Sequence, residues 1–176
     1  MKPFHLRLDR LEPSQRFAIL HQAKSRPSRG SIIFVHPVAE ETNKSRRMVA
    51  QQARLMAEAG WDVCLADRLG CGDSPGESRD GSWAIWREET IATVEWMRAL
   101  RPEAPVWLWG LRGGCLLAVE ACVATSCDGL ILWQPQTSGL IAAKQLLRLR
   151  VAAQTLSGHK GYTLDDALRE LTVRSS

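Results

Sequence analysis

The chain has 176 residues, 45% of them hydrophobic and 24% charged, which suits one buried core and excludes general disorder. The formal charge of +4 is spread over scattered arginines, with only short clusters at Lys44-Ser45-Arg46-Arg47 and Arg148-Leu149-Arg150, so no nucleic-acid partner is expected. Lys2, Arg7, Asp9 and Arg10 interrupt the N-terminus where a signal peptide needs an apolar run, and no stretch approaches the roughly 18 residues of a membrane span.

Strands alternate with helical stretches along the chain, the pattern of βαβ units and a mainly parallel sheet. Phe4 to Arg10 and Arg16 to Gln22 read as two strands joined by a turn at Glu12-Pro13-Ser14. Their polarity predicts an antiparallel hairpin at one sheet edge. Ser31 to Val35 is an apolar run of the kind found in a central strand. A helix is expected from Asn43 to Ala59, with Val49, Ala53 and Met56 at helical spacing and Gly60 ending it.

Trp61 to Ala66 reads as a strand ending at Asp67. Ser82 to Leu100 is an amphipathic helix with Trp83, Trp86, Thr90, Val94 and Met97 on one face. Pro105 to Trp109 and Gly129 to Trp133 supply further core strands, and Gly113 to Thr125 between them is a helix apolar almost all round. The pattern then changes. Ile141 to Leu156 is apolar and basic with no clear following strand, and Thr163-Leu164-Asp165-Asp166 has the start of a capping box. Residues 1–135 therefore read as a core and 136–176 as the start of a cap- or lid-like helical segment.

The five cysteines form no metal-binding doublets, and Cys64 and Cys122 read as small hydrophobes, so a reducing cytoplasm is the simplest compartment. No metal or cofactor is expected.

Trp107-Leu108-Trp109-Gly110-Leu111-Arg112-Gly113-Gly114 leads from a strand through a glycine-flanked turn into a helix, the context of the G-x-S-x-G nucleophile elbow. Gly110, Gly113 and Gly114 meet the need for small residues at that turn. Arg112 occupies the nucleophile's position, and an always-protonated guanidinium cannot attack. Beside a helix N-terminus it is suited to holding an anion. The plainer alternative is a tight turn with no chemistry.

Two more loops belong to the same sheet edge. Val35-His36-Pro37-Val38 follows the first core strand, where hydrolases of this kind donate one oxyanion N–H, so Val38 and Gly113 are the candidate oxyanion-hole donors. His36 is either a catalytic candidate or a residue that holds the loop. Asp67 to Gly76 follows another strand, and within it Ser74 is a candidate nucleophile or a turn cap. Glu40, Glu41 and Ser45 are candidate ligand-binding groups. The two glutamates alternatively pair with Arg112, Arg46 and Arg47, and Ser45 with Glu41 alternatively caps a helix.

With these loops in this order, the chain resembles the α/β-hydrolase superfamily. The run His36-Pro37-Val38-Ala39-Glu40-Glu41-Thr42-Asn43-Lys44-Ser45-Arg46-Arg47-Met48, with Gly70-Cys71-Gly72-Asp73-Ser74, Trp107 to Arg112 and Leu132-Trp133-Gln134-Pro135, is similar to exosortase A system-associated hydrolase 2. The resemblance covers residues 4 to 155 and implies a three-layer α/β fold with an antiparallel N-terminal edge. It implies a bacterial cytoplasmic protein linked to exopolysaccharide production and exosortase sorting, and a hydrolase name that rests on fold. It also implies that the strands carrying the acid and histidine lie beyond Ser176, because His159 precedes Asp165 and Asp166 and Gln134 is an amide.

Two functions fit this set of residues. One is a hydrolase of the ester or acyl class. The other is a catalytically silent hydrolase fold that binds a small anionic or acyl ligand or serves in an assembly. A Rossmann-type nucleotide binder is disfavoured, since no G-x-G-x-x-G follows the first core strand. An incomplete sheet leaves an open edge, from which a homo-oligomer is expected.

Overall fold

A computed structural model describes residues 2–37, 41–158, 161 and 163–166. The strands are β1 (Lys2–Arg7), β2 (Gln15–His21), β3 (Gly30–Val35), β4 (Trp61–Ala66), β5 (Val106–Leu111) and β6 (Gly129–Trp133). The helices are α1 (Glu41–Glu58), α2 (Trp83–Leu100), α3 (Gly114–Thr125) and α4 (Gly139–Leu156). All six strands form one sheet in the order β1-β2-β4-β3-β5-β6. The first two pair antiparallel with each other, β2 pairs antiparallel with β4, and the remaining pairs are parallel. This is the expected α/β architecture, with the polar hairpin at one edge and the fully buried β3 inside.

The boundaries differ from the sequence reading where local bonds intervene. β1 stops at Arg7, not Arg10, because the Leu8 N–H already donates to Ser14 O at 2.7 Å and starts the turn. α1 begins at Glu41, two residues before the expected Asn43, and puts an acid at the positive end of the helix. β5 continues through Gly110 and Leu111, which pair with Leu132 and Trp133 of β6.

Period-two alternation divides the core between the two sheet faces. Ile32 and Phe34 of β3, with Trp109 and Leu111 of β5, pack on the α1 side against Val49 and Ala53. Ile33, Val35, Val106 and Leu108 point the other way, toward Val94 and Met97 of α2 and Leu117, Ala118 and Ala121 of α3. An aromatic ladder crosses the α1 side, with Phe34 and Trp109 centroids 4.6 Å apart and Trp109 and Trp133 4.8 Å apart. Ser82 caps α2 by accepting from Ile85 N at 3.2 Å.

A buried ion pair locks the hairpin to this core. Arg16 Nε donates to Glu89 Oε1 at 2.6 Å, with both side chains at most 5% exposed. Glu89 also accepts from Leu69 N at 3.1 Å, so one carboxylate joins β2, α2 and the loop after β4. Burial raises the Glu89 carboxyl above its usual range, against the pull of Arg16.

Cys122 is not the free hydrophobe that the sequence suggested. It forms a disulfide with Cys127 across the left-handed turn at Ser126, and this removes the cysteine pattern as a ground for a reducing compartment. Cys64 is buried and free, and its thiol is pushed up to about 12 by burial.

The chain divides into two compact units between Pro135 and Gln136. In the second unit α4 is entered at Ser138, whose hydroxyl accepts from Ile141 N at 3.4 Å. A reciprocal box joins Thr163 and Asp166: Thr163 N donates to Asp166 Oδ2 at 2.9 Å, and Asp166 N to Thr163 Oγ1 at 3.3 Å. His159 lies outside the described residues. No helix of the described residues is long and apolar enough to cross a membrane.

Candidate functional site

The turn after β5 has the backbone of a nucleophile elbow. Arg112 has φ of 50°, a left-handed conformation that a bulky side chain adopts only when the surroundings impose it. Two bonds impose it here: Arg112 N donates to Trp133 O at 2.9 Å, and Cys115 N donates to Arg112 O at 3.1 Å. A Cβ on Gly110 would come within 2.7 Å of Cys115 Cα, and one on Gly114 would strike the carbonyls of Val35 and His36. The glycines therefore let α3 sit directly on the turn and on the end of β3. Gly113 is the N-cap residue of α3.

The turn aims Arg112 into an open cleft of about 520 Å³, lined also by Glu41, Lys44, Met48, Trp133 and Gln134. Leu111 and Leu132 complete an apolar floor, and Ser45 lies at its margin. Gln134 is itself at a positive φ of 44°, a second strained residue at the same sheet edge. The Arg112 guanidinium meets Glu41, with Nε donating to Oε1 at 2.6 Å and both side chains about one-third exposed (33% and 32%). Of the alternatives open for Glu41, pairing with Arg112 is the one the structure adopts.

The other sequence candidates fall in different places. Val38 and Glu40 lie outside the described residues. Ser74 is no free nucleophile: its hydroxyl donates to Asp67 O at 2.6 Å and accepts from Phe17 N at 2.9 Å, and the residue is buried. It pins the loop after β4 to β2. Ser45 is also buried, its hydroxyl donating to Thr42 O at 3.0 Å one turn back in α1.

His36 does not line the Arg112 cleft. It is buried against Phe34, with ring centroids 4.8 Å apart, and faces a neighbouring cavity of about 180 Å³. Burial, followed by the charges of Arg68 and Arg46, lowers it to about 3, against a hydrogen bond to the Ala66 backbone. The imidazole is thus held neutral near neutrality, packed against Phe34 and outside the lining of the Arg112 cleft.

Sequence reasoning did not single out Asp67 and Arg68 as organisers of these loops. Asp67 receives Asp73 N at 3.1 Å and Arg46 Nη2 at 3.3 Å, and lies 3.9 Å from His36 Nε2. The buried Arg68 donates to Pro37 O and lies over the Trp86 ring, 4.5 Å from its centroid. It thus ties the loop after β4 to the loop after β3. Their only signal in the sequence is a charged pair directly after an apolar strand.

Chemically, the cleft offers a guanidinium on a rigid turn, an ammonium from Lys44 and a displaceable carboxylate, above an apolar floor. Among the described residues, neither a histidine nor an unengaged serine lines it. That set suits recognition of an amphipathic ligand with an anionic head.

The sequence matches the Hydrolase_4 family, described as serine aminopeptidase, S33, over residues 26–166. It is 26% identical over 155 residues to human Protein ABHD12B, covering 85% of this chain and 41% of that protein. Among solved structures, XC6422 from Xanthomonas campestris, a serine hydrolase without a lid, matches with a TM-score of 0.62 and 21% identity. That match covers 74% of this chain and 59% of the other. Est1E from Butyrivibrio proteoclasticus, solved with ferulic acid, matches with a TM-score of 0.63 and 22% identity over 83% of this chain and 56% of its own. The chain thus spans only part of the length of these relatives, and its likeness to the solved structures is one of fold. With the elbow, one sheet carrying helices on both faces and a family match over most of its length, the chain belongs to the Hydrolase_4 (serine aminopeptidase, S33) family of the α/β-hydrolase superfamily.

Proposed function

We propose that this chain is a hydrolase-fold ligand-binding protein that takes an acyl ligand with an anionic head, and that it does not act as a serine hydrolase. One observation carries the reading: at the elbow, Arg112 points a fixed cation into the cleft, where Glu41 already occupies it as a carboxylate ligand would. Met48, Leu111, Leu132 and Trp133 supply the apolar surface for the acyl chain. Val38 and Gly113 remain the proposed backbone donors for the head group. The segment from Gln136 onward is proposed as the start of a cap- or lid-like helical segment.

The test is calorimetric titration with decanoate beside labelling with a fluorophosphonate. Saturable decanoate binding that weakens about tenfold in Arg112→Gln, with no labelling, supports the proposal. Equal affinity in that variant removes the anion site.

The second reading, a hydrolase of the ester or acyl class, is favoured by the family match over residues 26–166. Turnover of p-nitrophenyl esters, with stoichiometric labelling at a serine, would establish it. By the first reading, in contrast, Arg112→Ser alone gains no turnover in the 176-residue chain, because the described cleft lining offers no histidine to deprotonate the new hydroxyl.

The resemblance to exosortase A system-associated hydrolase 2 supports a bacterial cytoplasmic role beside exopolysaccharide production. Self-association through β6, which among the described residues has a strand on one side only, is the partner proposed for this chain.

A further inference from the structure

The geometry points to a second binding site, for a phosphate-bearing small molecule, at the opposite end of the sheet from the Arg112 cleft. A groove of about 720 Å³ lies where the chain enters β3 and β5. Arg26, Ser28 and Arg29 line it from one segment, and Arg101 and Glu103 from the other. Leu100, Pro102 and Pro105 give it stiff apolar walls, able to hold the organic part of a ligand.

Its charge is unbalanced. Asp62, only 2% exposed, lies beneath two of the arginines, and its Oδ1 accepts from Ala23 N at 2.8 Å. Its Oδ2 alone is shared by Arg26 Nη1 and Arg101 Nε, each 3.4 Å away. One carboxylate oxygen at that range cannot neutralise two guanidiniums. Arg29 lies with its guanidinium carbon 5.5 Å from the Trp61 ring centroid and, among the described residues, pairs with no carboxylate. The arginines therefore outnumber the nearby carboxylates, Asp62 and Glu103.

Each guanidinium carries five N–H donors in a planar fork, and Asp62 engages one nitrogen of Arg26 and one of Arg101. Three such forks around one groove offer more donors than a single carboxylate accepts, and they match the several oxygens and double charge of a phosphate. The site is independent of the Arg112 cleft and of what binds there.

The experiment is calorimetric titration of the whole chain with inorganic pyrophosphate at low salt, paired with thermal unfolding to confirm that each variant folds. One-to-one binding is expected, weakened tenfold or more in the Arg26→Gln/Arg29→Gln double variant, strengthened in Glu103→Gln and unaltered in Arg112→Gln. Added salt should weaken it, as screening requires. No saturable binding, equal affinity across the groove variants, or loss in Arg112→Gln would overturn the inference. Sedimentation with phosphatidic acid vesicles separates a lipid head group from a soluble phosphate: vesicle binding without pyrophosphate binding also overturns it.

Discussion

Arg112 Nε donates to Glu41 Oε1 at 2.6 Å, joining the turn before α3 to the first residue of α1. With a third of each side chain in water, a pair of this kind contributes only about 0–1 kcal/mol to the fold. Its consequence is functional. In the proposed binding reading, the anionic head of a ligand competes with Glu41 for this guanidinium.

Glu41→Gln tests that competition. Removing the carboxylate leaves the guanidinium with a neutral neighbour and removes a repelling charge from the cleft. Decanoate affinity should therefore rise, by about tenfold if one charge-assisted hydrogen bond is released to the ligand. Titration calorimetry beside Arg112→Gln reads both directions in one series. Weaker binding in Glu41→Gln would mean that Glu41 contacts the ligand and does not compete with it.

Ser74→Ala should lower stability and leave any ligand affinity unchanged. The hydroxyl makes two bonds, to Asp67 O and from Phe17 N, and its loss leaves the Phe17 N–H short of a partner. A cost of about 1–3 kcal/mol follows. Urea unfolding measures it, and a variant as stable as wild type would show that the hydroxyl does not pin the loop.

The sheet and the elbow were legible because their signals are local. Ile32 to Val35 alternate between two packed faces without a polar interruption, and Gly110, Gly113 and Gly114 flank a position that only a tight turn explains. Glu41 was legible as a partner for Arg112 only as one option among several, because 71 residues separate them. The Arg16–Glu89 pair, across 73 residues, left no trace in any window of sequence. Cys122 and Cys127 misled for a related reason. The left-handed turn at Ser126 that brings them together needs no glycine, and nothing else in the sequence marks it.

His36 should make the fold sensitive to mild acid. Its folded pKa is lowered to about 3, whereas in the unfolded chain it titrates near 6.5. Between those values the unfolded state holds the proton and the folded state does not, so stability is full above 6.5 and declines as pH falls toward 3. Glu89 acts with the opposite sign. Its raised carboxyl binds a proton more readily when folded, so its contribution declines as pH rises through that raised value. The difference between wild type and His36→Gln isolates the histidine. From pH 7 to pH 5 the wild type should lose about 2 kcal/mol more than the variant in urea unfolding. Parallel losses would show that His36 charges freely in the folded state.

Gly114→Ala sets two known effects against each other. Helix propensity alone favours alanine in α3 by about 1 kcal/mol. Against this, the added Cβ would strike two backbone carbonyls, those of Val35 at the buried end of β3 and of His36 just after it, which cannot swing aside as a side chain does. Moving α3 outward would break the Cys115 N to Arg112 O bond and shift the turn that aims the guanidinium. Forced overpacking of this kind costs about 1–3 kcal/mol, so the clash outweighs the propensity gain. The variant should therefore melt at a lower temperature than wild type and bind decanoate less well, while Gly139→Ala, whose Cβ meets nothing within 4 Å, should do neither. A Gly114→Ala melting point at or above wild type would mean that α3 does not rest on the end of β3, and the elbow would lose its support.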